Sequence, residues 1–164
     1  MPKQGRELMV TWLRDAYAME RALVQVLERQ ADHAERNLDT NAASMLRQHR
    51  DETARHADDI RACLQRHGED VSRIKAGMGV LAGLVQGMGA AGAGDTAIKD
   101  CLAGIASEHF EIAAYRSLIV AADQLGDTDT AATCRAILRD EEAMASWLER
   151  QLPLITQQEL VGAT

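Results

Sequence analysis

Glutamates recur inside stretches that otherwise read as helix interior. The segment SEHFEIAAY, Ser107 to Tyr115, sets Glu108 and Glu111 among Ile105, Ile112 and Tyr115. At 3.6 residues per turn, Cys101, Ile105, Ile112, Tyr115 and Ile119 all fall within roughly 60° of Glu108, which therefore sits in mid-stripe. The same projection of a later stretch puts Cys134, Leu138, Ala145, Leu148 and Leu152 around Glu141, while Asp140 and Glu142 point sideways. Near the N-terminus, Leu13, Ala16, Tyr17, Leu23, Val24 and Leu27 surround Glu20. Between residues 42 and 64, His49 and His56 lie inside the apolar stripe and Glu52 lies at its edge, one turn from each.

Each of the four glutamates lies near the middle of its own predicted helix, so an antiparallel bundle would gather them at one depth. Burying one unpaired carboxylate costs several kcal/mol, and four together repel one another. That load is comparable with the ~5 to 15 kcal/mol net stability of a whole domain. Protonation, buried arginine or metal cations would relieve it. Arg55 and Arg116 are the bases nearest these stripes. A pair of cations suits a cluster of carboxylates with one or two imidazoles, and oxygen-rich ligation with some histidine suits iron or manganese.

The remaining polar residues divide by position. Glu111, about 60° off the stripe, reads either as a second carboxylate ligand beside Glu108 or as part of a solvated face. His49 shares the inward face as a ligand, and His56 either substitutes for it or stands behind it. His109 points about 100° away and reads as packed on a neighbouring helix or hydrogen-bonded. His33 and His67, near helix ends, read as surface residues, and Asp15 and Asp51 as solvated. Tyr17 and Tyr115 are core aromatics whose hydroxyls need partners.

The elements that must position these groups follow from apolar spacing of three and four and from cap residues. Helices are predicted at about 6–36, 40–67, 96–125 and 128–152, with Asp39, Thr40 or Asn41 and then Asp127 or Thr128 as N-caps. Gly68 and Gly126 close the second and last-but-one helices, and Pro153 stops the last, leaving 153–164 as a tail. Two connections are only a few residues long, which makes antiparallel hairpins. The connection from about Gly68 to Gly94 is long enough to return along the bundle, as in ferritin-like topology. Within it, AGMGVLAGLVQGMGAAGAG, Ala76 to Gly94, carries no charge and spaces Gly79, Gly83 and Gly87 by four. Its glycines make it too weakly apolar for a membrane span, so a closely packed crossover helix over 72–92 is expected. The prediction is one all-α domain over 1–164.

Composition narrows the classes. A net charge of −7, with basic residues scattered among acids, argues against nucleic acid and against anionic membranes. Cys63, Cys101 and Cys134 are far apart with no CxxC pair, and the N-terminus lacks the apolar stretch of a signal peptide, so a cytoplasmic location is expected.

Four segments carry a family resemblance: DAYAMERAL (15–23), HRDET (49–53), EHFEIAAYRSL (108–118) and LRDEE (138–142). Over nearly the whole chain the sequence resembles the YciE/YciF-like ferritin-like stress proteins. The resemblance implies a ferritin-like four-helix bundle, often dimeric, with a di-metal carboxylate site related to that of rubrerythrin. By matching position it implies Glu20, His49, Glu52, Glu108, Glu111 and Glu141 as ligands; the expectation drawn here is that Glu52 and Glu141 bridge and the others are terminal. Where ferritin-like sites usually place a histidine three residues after glutamate on two helices, this chain has Arg55 and Met144. The expectation is two metal ions, iron first with manganese or zinc as alternatives. They would serve stress-related oxidation of ferrous iron or reduction of peroxide or dioxygen in a homodimer. The rival expectation is a non-catalytic helical interaction module whose glutamates hold a structural metal or pair with Arg55 and Arg116.

Overall fold

A computed structural model describes residues 3–37, 39–71 and 96–162. The glycine-rich crossover and the helix expected over 72–92 lie outside them. Four long helices account for nearly all of the described chain: α1 (Lys3–Arg36), α2 (Thr40–Arg66), α3 (Thr96–Leu125) and α4 (Thr128–Gly162).

The short connections end helices as their residues dictate. Asp39 caps α2 by accepting the Ala42 N–H at 2.9 Å, and Asp127 caps α4 by accepting from the Thr130 N–H at 3.1 Å. Gly68 and Gly126 hold φ of 78° and 71°, the left-handed conformation that a residue with a Cβ adopts only at a cost. Around each, two backbone N–H groups turn back onto the last carbonyls of the preceding helix, Leu64 and Gln65 in one case and Ala122 and Asp123 in the other.

Ion pairs mark the directions of the helices. Near one end of the first hairpin Arg14 pairs with Glu69, and towards the other Arg50 pairs with Glu28 and Arg47 with Glu35. In the second, Arg135–Asp123 at 2.6 Å, Arg116–Glu142 at 2.7 Å and His109–Glu149 at 2.9 Å step along α3 and α4 in opposite senses. These exposed pairs contribute little stability, ~0 to 1 kcal/mol each, but they record the register. The hairpins are joined by His33–Asp100 at 3.0 Å between α1 and α3 and by His67–Asp127 at 2.8 Å between α2 and the start of α4. Adjacent helices are thus antiparallel while α2 and α3 run in the same direction. This is the four-helix topology with one long crossover that the sequence predicts.

The core is divided in two. A large cluster packs Leu13, Tyr17, Leu23, Ile60, Leu64, Tyr115, Leu118 and Ile137. A smaller one packs Cys101, Met144 and Leu148 against Met45, Leu46, Trp147 and Ile155. On α2, α3 and α4 the acids and histidines of the opening analysis lie in sequence between residues of the two clusters, and on α1 Glu20 is flanked by Tyr17 and Leu23 of the larger one, so the polar layer lies where the two clusters meet. All three cysteines are buried and free. Among the described residues no helix is long and apolar enough to cross a membrane.

One boundary needs correction: Pro153 does not end the last helix, and 153–162 is not a tail. α4 continues through it to Gly162. Proline removes the N–H that would bond the Glu149 carbonyl, but Leu152 and Ile155 on either side pack against the smaller cluster and hold the next turn. Because Pro153 is exposed, Pro153→Ala restores the missing bond without disturbing packing. Thermal and urea unfolding of that variant should show a gain in stability, of ~1 kcal/mol or more and at most the ~3 kcal/mol of an interior proline. No change at all would mean that the chain is not helical there.

Candidate metal centre

Helix periodicity carries one or two groups from each helix into the polar layer. Glu20 on α1, Glu108 and Glu111 on α3, and Glu141 on α4 are buried to 3% exposure or less, as are His49 and His56 on α2. The two histidines are seven residues apart, two turns along one face, so their rings enter the layer at different heights. Glu141 lies between them. Its Oε1 is 2.8 Å from His56 Nδ1, and its Oε2 is 3.4 Å from His49 Nε2. Glu20 Oε2 closes the first side at 3.8 Å from His56 Nδ1, and Glu108 Oε1 closes the second at 3.2 Å from His49 Nε2. Two triads result, Glu20–His56–Glu141 and His49–Glu108–Glu141, each with its donor atoms within 4.8 Å of one another.

Most of the atoms that point inward lack hydrogen bonds. Glu20 Oε2, Glu108 Oε2, Glu111 Oε2, both oxygens of Glu141 and His56 Nδ1 are buried without one among the described residues. The short approach of His56 Nδ1 to Glu141 is therefore a charge contact set off the hydrogen-bonding direction. By contrast, the oxygen of Glu20 that faces away from the triad is fixed by the Tyr115 hydroxyl, which donates to Oε1. Neither arginine considered above enters the layer. Arg55 and Arg116 are mostly exposed and pair with Glu52 and Glu142 on the outside. Unpaired buried acceptors are rare because each costs ~1 to 3 kcal/mol, more when charged. Carboxylate oxygens and imidazole nitrogens aimed at common points fit hard or borderline divalent cations. The charge also balances, since two such ions carry +4 against the four buried glutamates.

Protonation reports the same strain. Burial, reinforced by the charge of Glu141, lifts Glu20 from 4.5 to about 8, and burial lifts Glu108 to about 7. Glu111 is pushed well above the ordinary carboxylate range by burial and by Glu141, Glu108 and Glu20 in turn. Burial alone would lower the histidines, but Glu108 outweighs it at His49 and Glu141 with Glu20 outweighs it at His56, raising both from 6.5 to about 9.

Of the six residues expected as ligands, Glu20, His49, Glu108 and Glu141 converge in the triads. Glu111 is buried one turn from Glu108, which resolves its two readings in favour of the interior. Glu52 stands apart from both triads. Its carboxylate is 22% exposed and lies 3.4 Å from His49 Nδ1, on the far side of the ring from the centre, and it accepts from Gln48 at 3.0 Å. His56 occupies the place in the layer that the sequence reading left open, and its spacing from His49 was the available signal. His67 is not a surface residue but is largely buried against Asp127.

The profile of the family described as domain of unknown function (DUF892) matches residues 4–161. Among solved structures, a protein from Xanthomonas campestris pv. campestris aligns with a TM-score of 0.78 at 29% identity over 98% of both chains. The E. coli stress protein YciF aligns with a TM-score of 0.80 at 21% identity, over 95% of this chain and 99% of that one. YcfI from Rhodopseudomonas palustris aligns with a TM-score of 0.73 at 21% identity, over 88% of this chain and 92% of that one. The last two matches establish a common fold.

Raised carboxyl and imidazole values have one sign. The folded metal-free protein holds more protons than the unfolded chain between about 4.5 and about 8 for Glu20 and between 6.5 and about 9 for the histidines. Their stabilisation is complete below those windows and lost as pH rises through them. Calorimetry of chelator-treated protein should therefore show a midpoint falling from about pH 5 to about pH 9, and saturating Mn²⁺ should flatten or reverse that fall. A metal-free midpoint that rises across this range would contradict the assignment.

Proposed function

The chain belongs to the DUF892 family, and from that premise we propose that it is a ferritin-like di-metal carboxylate protein that oxidises ferrous iron or reduces peroxide or dioxygen. The observation that carries this reading is the pair of oxygens on Glu141, buried and without hydrogen bonds, facing a histidine on each side. Glu20, His56 and Glu141 would hold one ion, and His49, Glu108 and Glu141 would hold a second. Glu111 supplies a further carboxylate beside Glu108. When bound, a pair of iron ions supplies electrons to a small oxidant; manganese and zinc fit the same donors, and zinc would give a structural site only.

The protein's own groups support that chemistry in three ways. Tyr115 donates to Glu20 and so directs the other oxygen of that carboxylate inward. The apolar clusters on either side exclude bulk water, which strengthens each electrostatic contact within the layer. On the α2 side, Gln48 and Glu52 form a partly exposed polar edge beside His49. Glu52 is assigned as the outer partner of His49 rather than as a bridge, because its carboxylate meets the ring nitrogen that faces away from the triad. The stress setting attached to the E. coli relative, a cytoplasmic location and a homodimer complete the proposal.

Anaerobic titration with ferrous iron tests it. Wild-type protein should take up two ions per chain and consume oxygen when air is admitted. Glu141→Ala should lose both ions, Glu108→Ala one, and Glu142→Ala, at the surface with Arg116, none. Absence of stoichiometric metal in wild-type protein would favour the non-catalytic module.

A further inference from the structure

Asp140 precedes Glu141 on α4 and, as its sideways position predicts, is half exposed at 51%. Its Oδ2 nevertheless lies 3.1 Å from Nε2 of His56, a residue reached across the bundle from α2. The other nitrogen of that ring, Nδ1, has no hydrogen bond and faces Glu141 Oε1 and Glu20 Oε2. A neutral imidazole carries its one proton on either nitrogen, and its partners decide which. A carboxylate at Nε2 accepts a hydrogen bond from that N–H, leaving the Nδ1 lone pair directed into the layer.

We propose that Asp140 is a positioning residue for the metal centre, fixing the tautomer and ring plane of His56 and thereby the affinity of the ion held by Glu20, His56 and Glu141. The inference rests on the metal-centre reading and refines it: a surface carboxylate that touches no ion governs one half of the centre. The halves then differ in support. His56 is anchored by Asp140 at 3.1 Å, whereas the outer nitrogen of His49 meets Glu52 at 3.4 Å. Because Asp140 and Glu141 are consecutive residues, one turn of α4 supplies both a ligand shared by the two ions and the anchor for another ligand. A carboxylate behind an imidazole also raises its basicity as a ligand.

Zinc binding and nitrogen NMR together test this. In wild-type protein titrated with Zn²⁺, two ions should bind, and ¹⁵N-labelled His56 should show a protonated Nε2 and a metal-bound Nδ1. Asp140→Ala should weaken one of the two ions ~10- to 100-fold and leave the other unchanged. Since Asp140 is half exposed, the metal-free fold should persist, with an unchanged helical circular dichroism spectrum. Asp140→Asn, whose amide oxygen still accepts from Nε2–H, should recover most of the loss. Equal affinity for both ions in wild type and Asp140→Ala, or a His56 protonated at Nδ1 in the loaded protein, would overturn the inference while leaving the centre standing. Wild-type protein that binds no zinc and no iron would overturn the metal-centre reading beneath it.

Discussion

Mutual repulsion among four buried carboxylates is the constraint around which this bundle is built. Glu20, Glu108, Glu111 and Glu141 occupy one layer with at most 3% exposure, and no described arginine or lysine reaches them. The apolar residues above and below would pack as well around leucine in those positions, at far lower electrostatic cost. Retaining glutamate at each makes physical sense when the positive charge comes from outside the polypeptide.

The helices express that constraint as geometry. Two antiparallel hairpins, each with its register marked by surface ion pairs, bring the midpoints of four helices to the same depth. Because α2 and α3 run in the same direction, each helix has two antiparallel neighbours, and contacts such as Tyr115 with Glu20 and His49 with Glu108 cross between hairpins. The polar layer therefore bridges the two hairpins as well as lying inside them. Cations bound there would tie together elements that a long connection alone would leave weakly coupled, since ligands drawn from all four helices make metal binding part of folding free energy.

Much of this was legible from spacing. Single helix faces identified Glu20, Glu108 and Glu141 as inward because a 3.6-residue period leaves little freedom for a residue in mid-stripe. Cap residues and glycines placed the hairpin turns because Asp39, Asp127, Gly68 and Gly126 act within a few residues of themselves. What one helix could not reveal was which groups meet across the bundle. On α2 His56 lies inside the stripe and Glu52 at its edge, and only the approach of α4 shows what each meets, setting His56 against Glu141 and leaving Glu52 behind His49. Asp140 points sideways on its own helix, and its role exists only because α2 passes beside it. Pro153 misled for the opposite reason: a local rule against helix was outweighed by packing of the residues around it.

The most direct measurement is anomalous diffraction from crystals grown with ferrous or manganous ions. Two peaks flanking Glu141, one beside Glu20 and His56 and the other beside Glu108 and His49, are the predicted result. Crystals with these glutamates buried as described and no ordered metal between them would contradict the account.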